Sequence, residues 1–105
     1  MSSKDELVLD TITLKKAAQV FRALNHDLRQ QMLQLINLHS KMPVTDIYQK
    51  LGLEQSVASQ QLAILRKERF VITEKSGKQV FYSLDHARIQ EVQQISKSFP
   101  LSIDS

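Results

Sequence analysis

The most informative part of the sequence is residues 44–68, which read VTDIYQKLGLEQSVASQQLAILRKE. Apolar residues at helical spacing predict a short helix over about Val44–Leu51 and a longer one over about Gln55–Glu68. Gly52 breaks the first helix and lies in a turn of about four residues. A short helix, a tight turn and a second helix in this order predict a helix-turn-helix.

The second of these helices has two faces of different chemistry. At about 100° per residue, Ala58, Leu62 and Leu65 share one side, with Val57 and Ile64 on its flank. The opposite side is small, polar and basic, which suits a helix that enters the major groove of DNA. It carries Ser56, Ser59, Gln60, Ala63 and Lys67, with Arg66 at its border and Gln61 nearer the core side. Any solvent-facing helix surface is polar, so this face alone leaves an ordinary solvated surface open.

Two further helices are predicted before this motif. Apolar spacing indicates one from Leu14 to just before Asn25, with Thr11 or Thr13 as its cap. A second covers about Asp27–Leu38, and Asn25 or His26 lies at its cap position. Its outward residues are expected to be Arg29, Gln30, Gln31 and Gln34. The segment His39–Met42 leads into Pro43, which fits a loop or the first turn of the next helix.

After Phe70 the pattern changes from helical to strand-like. Phe70–Glu74 and Gln79–Leu84 predict two strands, joined by a turn at Lys75–Lys78 that contains Gly77. Asp85 is expected to cap a last helix that ends near Ser98. The predicted fold is therefore mainly α with a small β-hairpin wing, in the order ααααββα. The predicted domain covers residues 11–99, between an N-terminal tail, 1–10, that could add to a dimer interface and a C-terminal tail, 100–105.

Composition excludes several classes of protein. The 105 residues suffice for one domain, and the absence of cysteine rules out disulfides, thiolate metal sites and a cysteine nucleophile. No apolar run approaches the roughly 20 residues of a membrane helix, and the acidic N-terminus does not resemble a signal peptide, so a cytoplasmic protein is expected. The net charge of +3 is concentrated in residues 66–78, with five basic and two acidic side chains. Such a block fits a phosphate-contacting surface, although an exposed hairpin alone would also explain it.

Three segments carry a resemblance to a known family. Residues 53–66, LEQSVASQQLAILR, resemble the recognition helix of the ArsR/SmtB winged-helix repressors. Residues 21–29, FRALNHDLR, resemble the opening of that family's second helix, and residues 78–84, KQVFYSL, its second wing strand. The similarity covers about residues 14–99. It implies a homodimer through the first and last helices, in which two recognition helices meet successive major grooves of a palindromic operator and a chemical signal releases the DNA.

The resemblance and the helix faces together give the expected site residues. The expected contacts with double-stranded DNA are Gln55, Ser56, Ser59, Gln60, Ala63, Arg66, Lys67, Arg69, Lys75, Lys78, Thr45 and His26. The expected dimer contacts are Leu14, Ala18, Phe21, Ile89, Val92, Ile95 and Phe99. These apolar stripes could instead pack within one protomer. Arg69 stands where many relatives have a glycine that ends the recognition helix.

The sequence departs from the metal-sensing members of that family. Their cysteine box corresponds here to residues 41–47, KMPVTDI, which contain no thiol. Their second site needs a histidine two residues after an aspartate, yet Ala87 follows Asp85 at that distance, and no histidine follows His86. We therefore expect no metal, no cofactor and no thiol-based signal, and the inducer is unknown.

Two other functions, a protein-binding module and an enzyme, are alternatives to DNA binding. A winged helix that binds only proteins would expose large apolar residues on its recognition face, and Ser56, Ser59 and Gln60 are not of that kind. An enzyme would need a convergent set of catalytic groups. The adjacent pairs His26-Asp27 and Asp85-His86 point about 100° apart on a helix and make no catalytic dyad.

Overall fold

The computed structural model describes residues 11–98 of the chain. Its helices are α1 Thr11–Leu24, α2 Asp27–His39, α3 Val44–Lys50, α4 Gln55–Lys67 and α5 His86–Ser98, and its strands are β1 Lys41–Pro43, β2 Val71–Ser76 and β3 Gln79–Leu84. The mainly helical architecture with a β-hairpin is confirmed. No helix in this range is long and apolar enough to cross a membrane.

The sheet has one strand more than the predicted hairpin. β3 lies between β1 and β2 and is antiparallel to both, with Lys41 opposite Ser83 and Val71 opposite Leu84. The interpretation of His39–Met42 and Pro43 as a loop leading into a helix was therefore wrong, because His39 is the last residue of α2 and Lys41–Pro43 form β1. A short segment ending in proline carries little strand signal, and proline is tolerated here because β1 is an edge strand.

The wing is longer, and its turn shorter, than predicted. Lys75 does not lie in the turn, because it belongs to β2 and pairs with Val80 of β3. The turn consists of Gly77 and Lys78, and only Gly77 has a positive φ, 63°. That pattern is typical of a type II′ hairpin turn, in which the first central residue is glycine.

The core lies where α2, α3 and α4 meet the sheet. Ala58, Leu62 and Leu65 of α4 are fully buried, which confirms the predicted inward face of that helix. Other fully buried side chains in the described residues include Met32, Ile36, Met42, Ile47 and Phe70. Phe70 was predicted as the first residue of a strand. It instead lies just before β2 and fills the core beneath the end of α4.

The helices α3 and α4 end in the same way. At the end of α3, Leu53 N–H donates to Tyr48 O (2.8 Å) and Gly52 N–H to Gln49 O (3.2 Å). This is a Schellman motif, which needs a left-handed residue, and Gly52 supplies it with φ +65°. At the end of α4 the same two bonds form, and Arg69 occupies the left-handed position with φ 67°.

The first turns of α2 and α5 differ in their capping. The Arg88 backbone N–H donates to Asp85 Oδ1 (3.0 Å), so the predicted cap of α5 is confirmed. His26 is the N-cap residue of α2, but its side chain makes no capping hydrogen bond. The backbone is extended at His26, where φ is −153°, and α2 begins at the next residue without a side-chain cap.

Candidate nucleic-acid interface

The exposed face of α4 is the largest group of expected DNA contacts that the fold brings together. Its exposed residues are Gln55, Ser56, Ser59, Gln60, Ala63, Arg66 and Lys67. None of these is a large aliphatic or aromatic residue. Ile64, at the border of this face, is 36% exposed. The helix therefore presents a narrow surface of hydroxyls, amides and cations that can approach base edges closely.

In the described part of the chain, four cations flank this face without carboxylate partners. Arg66 and Lys67 lie in the last turn of α4, while Lys75 and Lys78 lie in β2 and the wing turn. Because α4 packs against β2, the wing follows directly beside the helix. Within residues 11–98, the ion pairs are Lys41–Glu74, Arg69–Glu91 and Arg88–Glu91. The four flanking cations are thus available to phosphate groups.

The three remaining expected contacts, Arg69, Thr45 and His26, lie outside α4. Arg69 follows α4 directly, is mostly exposed, and has its Nη2 atom 3.9 Å from Glu91 Oε1. Thr45 lies partly exposed in the first turn of α3, the helix that packs against α4. His26 is exposed at the start of α2.

Arg29 fixes α4 to the end of α1, a role that the sequence did not reveal. Its Nη1 donates to Gln61 Oε1 of α4 (2.7 Å), its Nε to Ala23 O (2.6 Å) and its Nη2 to Arg22 O (3.2 Å). The prediction that Arg29 points outward was therefore wrong. Helical spacing places its Cα on the outer side of α2, but a long side chain can reach back across a neighbouring helix. Gln61, expected to face away from DNA, is occupied by this hydrogen bond.

Arg88 makes the corresponding connection between α4 and α5. Its Nε donates to the carbonyl oxygen of Glu68, the residue that ends α4 (2.9 Å), and its Nη1 lies 2.8 Å from Glu91 Oε1. The guanidinium also lies 5.6 Å from the centre of the Phe70 ring. The Arg88 side chain is only 10% exposed, so a charged group is held almost fully inside this junction.

The expected dimer residues divide into exposed and internal positions. Leu14 is 47% exposed on α1, and Ala18, Phe21, Ile89 and Ile95 are partly exposed. Val92 is buried within the protomer's own core. Phe99 and the N-terminal tail, 1–10, lie outside the described residues.

Residues that could bind a metal are not gathered in the described part of the chain. Across residues 11–98, no three histidine, cysteine, aspartate or glutamate side chains lie close enough together to hold an ion. Two acidic residues near His86 have other partners, since Glu91 pairs with Arg88 and Arg69, and Asp85 caps α5.

The helix-turn-helix, the polar face of α4 and the basic wing beside it define a winged helix-turn-helix DNA-binding domain. Residues 26–73 match the family described as "Bacterial regulatory protein, arsR family". The chain belongs to this family, as its similarity to regulators of that type also shows. It is accordingly a DNA-binding transcriptional regulator, and the family consists of regulators and not of enzymes.

Three relatives illustrate the match. The HTH-type transcriptional regulator NmtR of Mycobacterium tuberculosis is 30% identical over 80% of this chain and 69% of its own. The biofilm growth-associated repressor of Xylella fastidiosa is 31% identical over 73% of this chain and 67% of its own. The reduced form of HlyU from Vibrio cholerae superposes with a TM-score of 0.64 at 27% identity, over 83% of this chain and 92% of its own.

Proposed function

We propose that the protein is a repressor that binds, as a homodimer, a palindromic operator in the cytoplasm, with one α4 helix in the major groove at each half-site. The observation that carries this proposal is the exposed face of α4, which is rich in small polar residues and cations. Among these residues, Gln60 is suited to adenine, and Arg66 or Lys67 to guanine or phosphate. The protein thus acts by occupying DNA and not by catalysis.

The wing supplies the second part of the proposed interface. Lys75 and Lys78 contact the phosphate backbone beside the groove that α4 enters, and Arg69, Thr45 and His26 add contacts at the edges. Phosphate contacts fix the register of the protein on the duplex but carry no sequence information. We therefore assign sequence readout to α4 and most of the salt-dependent affinity to the wing and the helix ends.

Three observations support the homodimer through α1 and α5. The protomer is elongated, 56 × 28 × 22 Å, with a radius of gyration of 16.1 Å, against about 13 Å for a compact domain of this length. Leu14 stays exposed on α1. Between α1, α2 and α5 lies an open apolar cleft of about 280 Å³, lined in part by Leu24, Leu33 and Ile89. A symmetric partner would cover these surfaces, with residues 1–10 adding to the interface and residues 11–99 forming the domain.

The proposed regulation involves neither thiols nor metals. The chain has no cysteine, so residues 41–47 offer no thiolate at the position of the family's cysteine box. The inducing signal is then an organic molecule or a protein, or the repressor works without one.

The proposal is tested by fluorescence anisotropy on DNA from upstream of the protein's own gene, with unrelated duplex as competitor. Gln60→Ala should weaken binding to the operator by roughly tenfold, since one bidentate base contact contributes about 1–3 kcal/mol, and leave binding to unrelated DNA unchanged. Gln90→Ala, on the exposed side of α5, is the matched control. Equal losses on both duplexes would contradict base readout by Gln60, and a wild type without operator preference would favour a protein-binding winged helix.

A further inference from the structure

The middle and the C-terminal end of α4 are connected by arginines to the two helices that we place at the dimer interface. Arg29 joins Gln61, in the middle of α4, to the carbonyl oxygens of Arg22 and Ala23 in the last turn of α1. Arg88, on α5, donates to Glu68 at the C-terminal end of α4. One connection thus runs from α4 through Arg29 of α2 to α1, and the other runs from α4 directly to Arg88 of α5.

Each connection uses backbone groups that a helix end leaves without partners. The last four carbonyl groups of a helix have no partner within it. A nearby guanidinium can donate hydrogen bonds to these carbonyl oxygens, and its positive charge complements the helix dipole. Arg29 satisfies two such groups of α1 and still has a donor for Gln61. Arg88 satisfies one such group of α4 while Glu91 compensates its charge. The two arginines therefore hold α4 at fixed points and not by packing alone.

We infer that Arg29 and Arg88 are positioning residues for DNA binding, which set the orientation of α4 relative to α1 and α5. This inference rests on the proposed function, because in a dimer the position of α4 relative to these helices determines the spacing of the two reading helices. Half-sites lie about 34–36 Å apart on DNA, so both helices must be placed correctly at once. Neither arginine needs to contact DNA to affect specific binding.

Lysine at either position tests this role while keeping the charge. An ammonium group is a single point donor, whereas the planar guanidinium reaches several acceptors in fixed directions. Arg29→Lys and Arg88→Lys should each weaken operator binding by about tenfold, or about 1.4 kcal/mol. Binding to unrelated DNA should change by less than about twofold, and the salt dependence should stay the same because no positive charge is lost. Arg22→Lys, at an exposed arginine of α1, is the matched control and should change neither.

A second variant separates positioning from loss of folding. Gln61→Leu removes only the α4 end of the Arg29 connection and should weaken operator binding in the same direction. The double variant with Arg29→Lys should lose no more than the larger single loss, because both changes break one connection. All titrations are made at a temperature where circular dichroism shows each variant to be folded.

A measurement without DNA tests the connections themselves. In the free protein, the Nε–H resonances of Arg29 and Arg88 should exchange with water more slowly than that of Arg22. Exchange as fast as that of Arg22 would overturn the inference. In the DNA titrations, unchanged operator affinity or equal losses of affinity for operator and unrelated DNA would also overturn it. Additive losses of affinity in the double variant would do the same. If the wild type itself does not prefer an operator, the proposed function fails, whereas the exchange measurement still decides whether the two connections form.

Discussion

Replacing Arg69 with glycine is expected to stabilise the fold, because Arg69 holds a left-handed backbone conformation that favours glycine. That conformation costs a non-glycine residue about 1–2 kcal/mol, and glycine loses roughly 0.5–1 kcal/mol more conformational entropy on folding. The Arg69–Glu91 pair spans 3.9 Å between mostly exposed side chains and contributes at most a few tenths of a kcal/mol. Arg69→Gly should therefore raise the free energy of unfolding by about 0.5–1 kcal/mol.

The measurement is thermal unfolding followed by circular dichroism at fixed protein concentration, since dimerisation makes the midpoint concentration-dependent. The midpoint should rise by roughly 2–8 °C for a domain of this size. Arg69→Ala removes the charge but keeps the strained backbone, so its midpoint should stay near that of the wild type. Gly52→Ala makes the opposite change at the end of α3, where an added Cβ meets nothing within 4 Å, and should lower stability by about 1 kcal/mol. A lower midpoint for Arg69→Gly would contradict a strained, left-handed backbone conformation at Arg69.

Substitutions in the wing, at the α5 cap and on α1 test other parts of the structure. Lys75→Ala and Lys78→Ala should weaken binding to all DNA. Each should also reduce the slope of the logarithm of the binding constant against the logarithm of salt concentration by about one for each lost phosphate contact. Unchanged slopes would show that the wing does not contact phosphate groups. Asp85→Ala should lower the free energy of unfolding by about 1 kcal/mol through loss of the α5 cap, measured by urea unfolding, and Asp85→Asn should retain most of it; equal losses would contradict a capping role. Leu14→Glu should shift the protein from dimer to monomer in sedimentation equilibrium without reducing helicity, and an unchanged dimer would place the interface elsewhere.

The helices could be predicted from sequence because their signals are local. The bounds of α2, α3 and α4 follow apolar spacing within each segment, and the buried side of α4 follows from the same period. The end of α4 at a left-handed Arg69 also agrees with the position at which the family resemblance implies a helix-ending glycine. The exposed face of the candidate site was therefore readable from residues 55–67 alone.

The features that sequence missed depend on contacts between distant segments. β1 forms only because β3 offers it an edge, and Lys41 reinforces that pairing through a 2.7 Å contact with Glu74 and a position 5.4 Å from the Phe81 ring. Arg29 has the periodicity of an outward residue, yet its partners come from α1 and from α4, 32 residues away. No periodic pattern encodes where a long side chain finds its acceptors.

The most direct test of the central claim is selection of the preferred DNA from a pool of random duplexes. A homodimeric winged helix should enrich an inverted repeat whose half-site centres lie about 10–10.5 base pairs, or a multiple of that distance, apart. The selected duplex should bind at least about a thousandfold more tightly than unrelated DNA at physiological salt. Enrichment of no sequence, or of a single site without its inverted copy, would contradict the account of two α4 helices reading a palindrome.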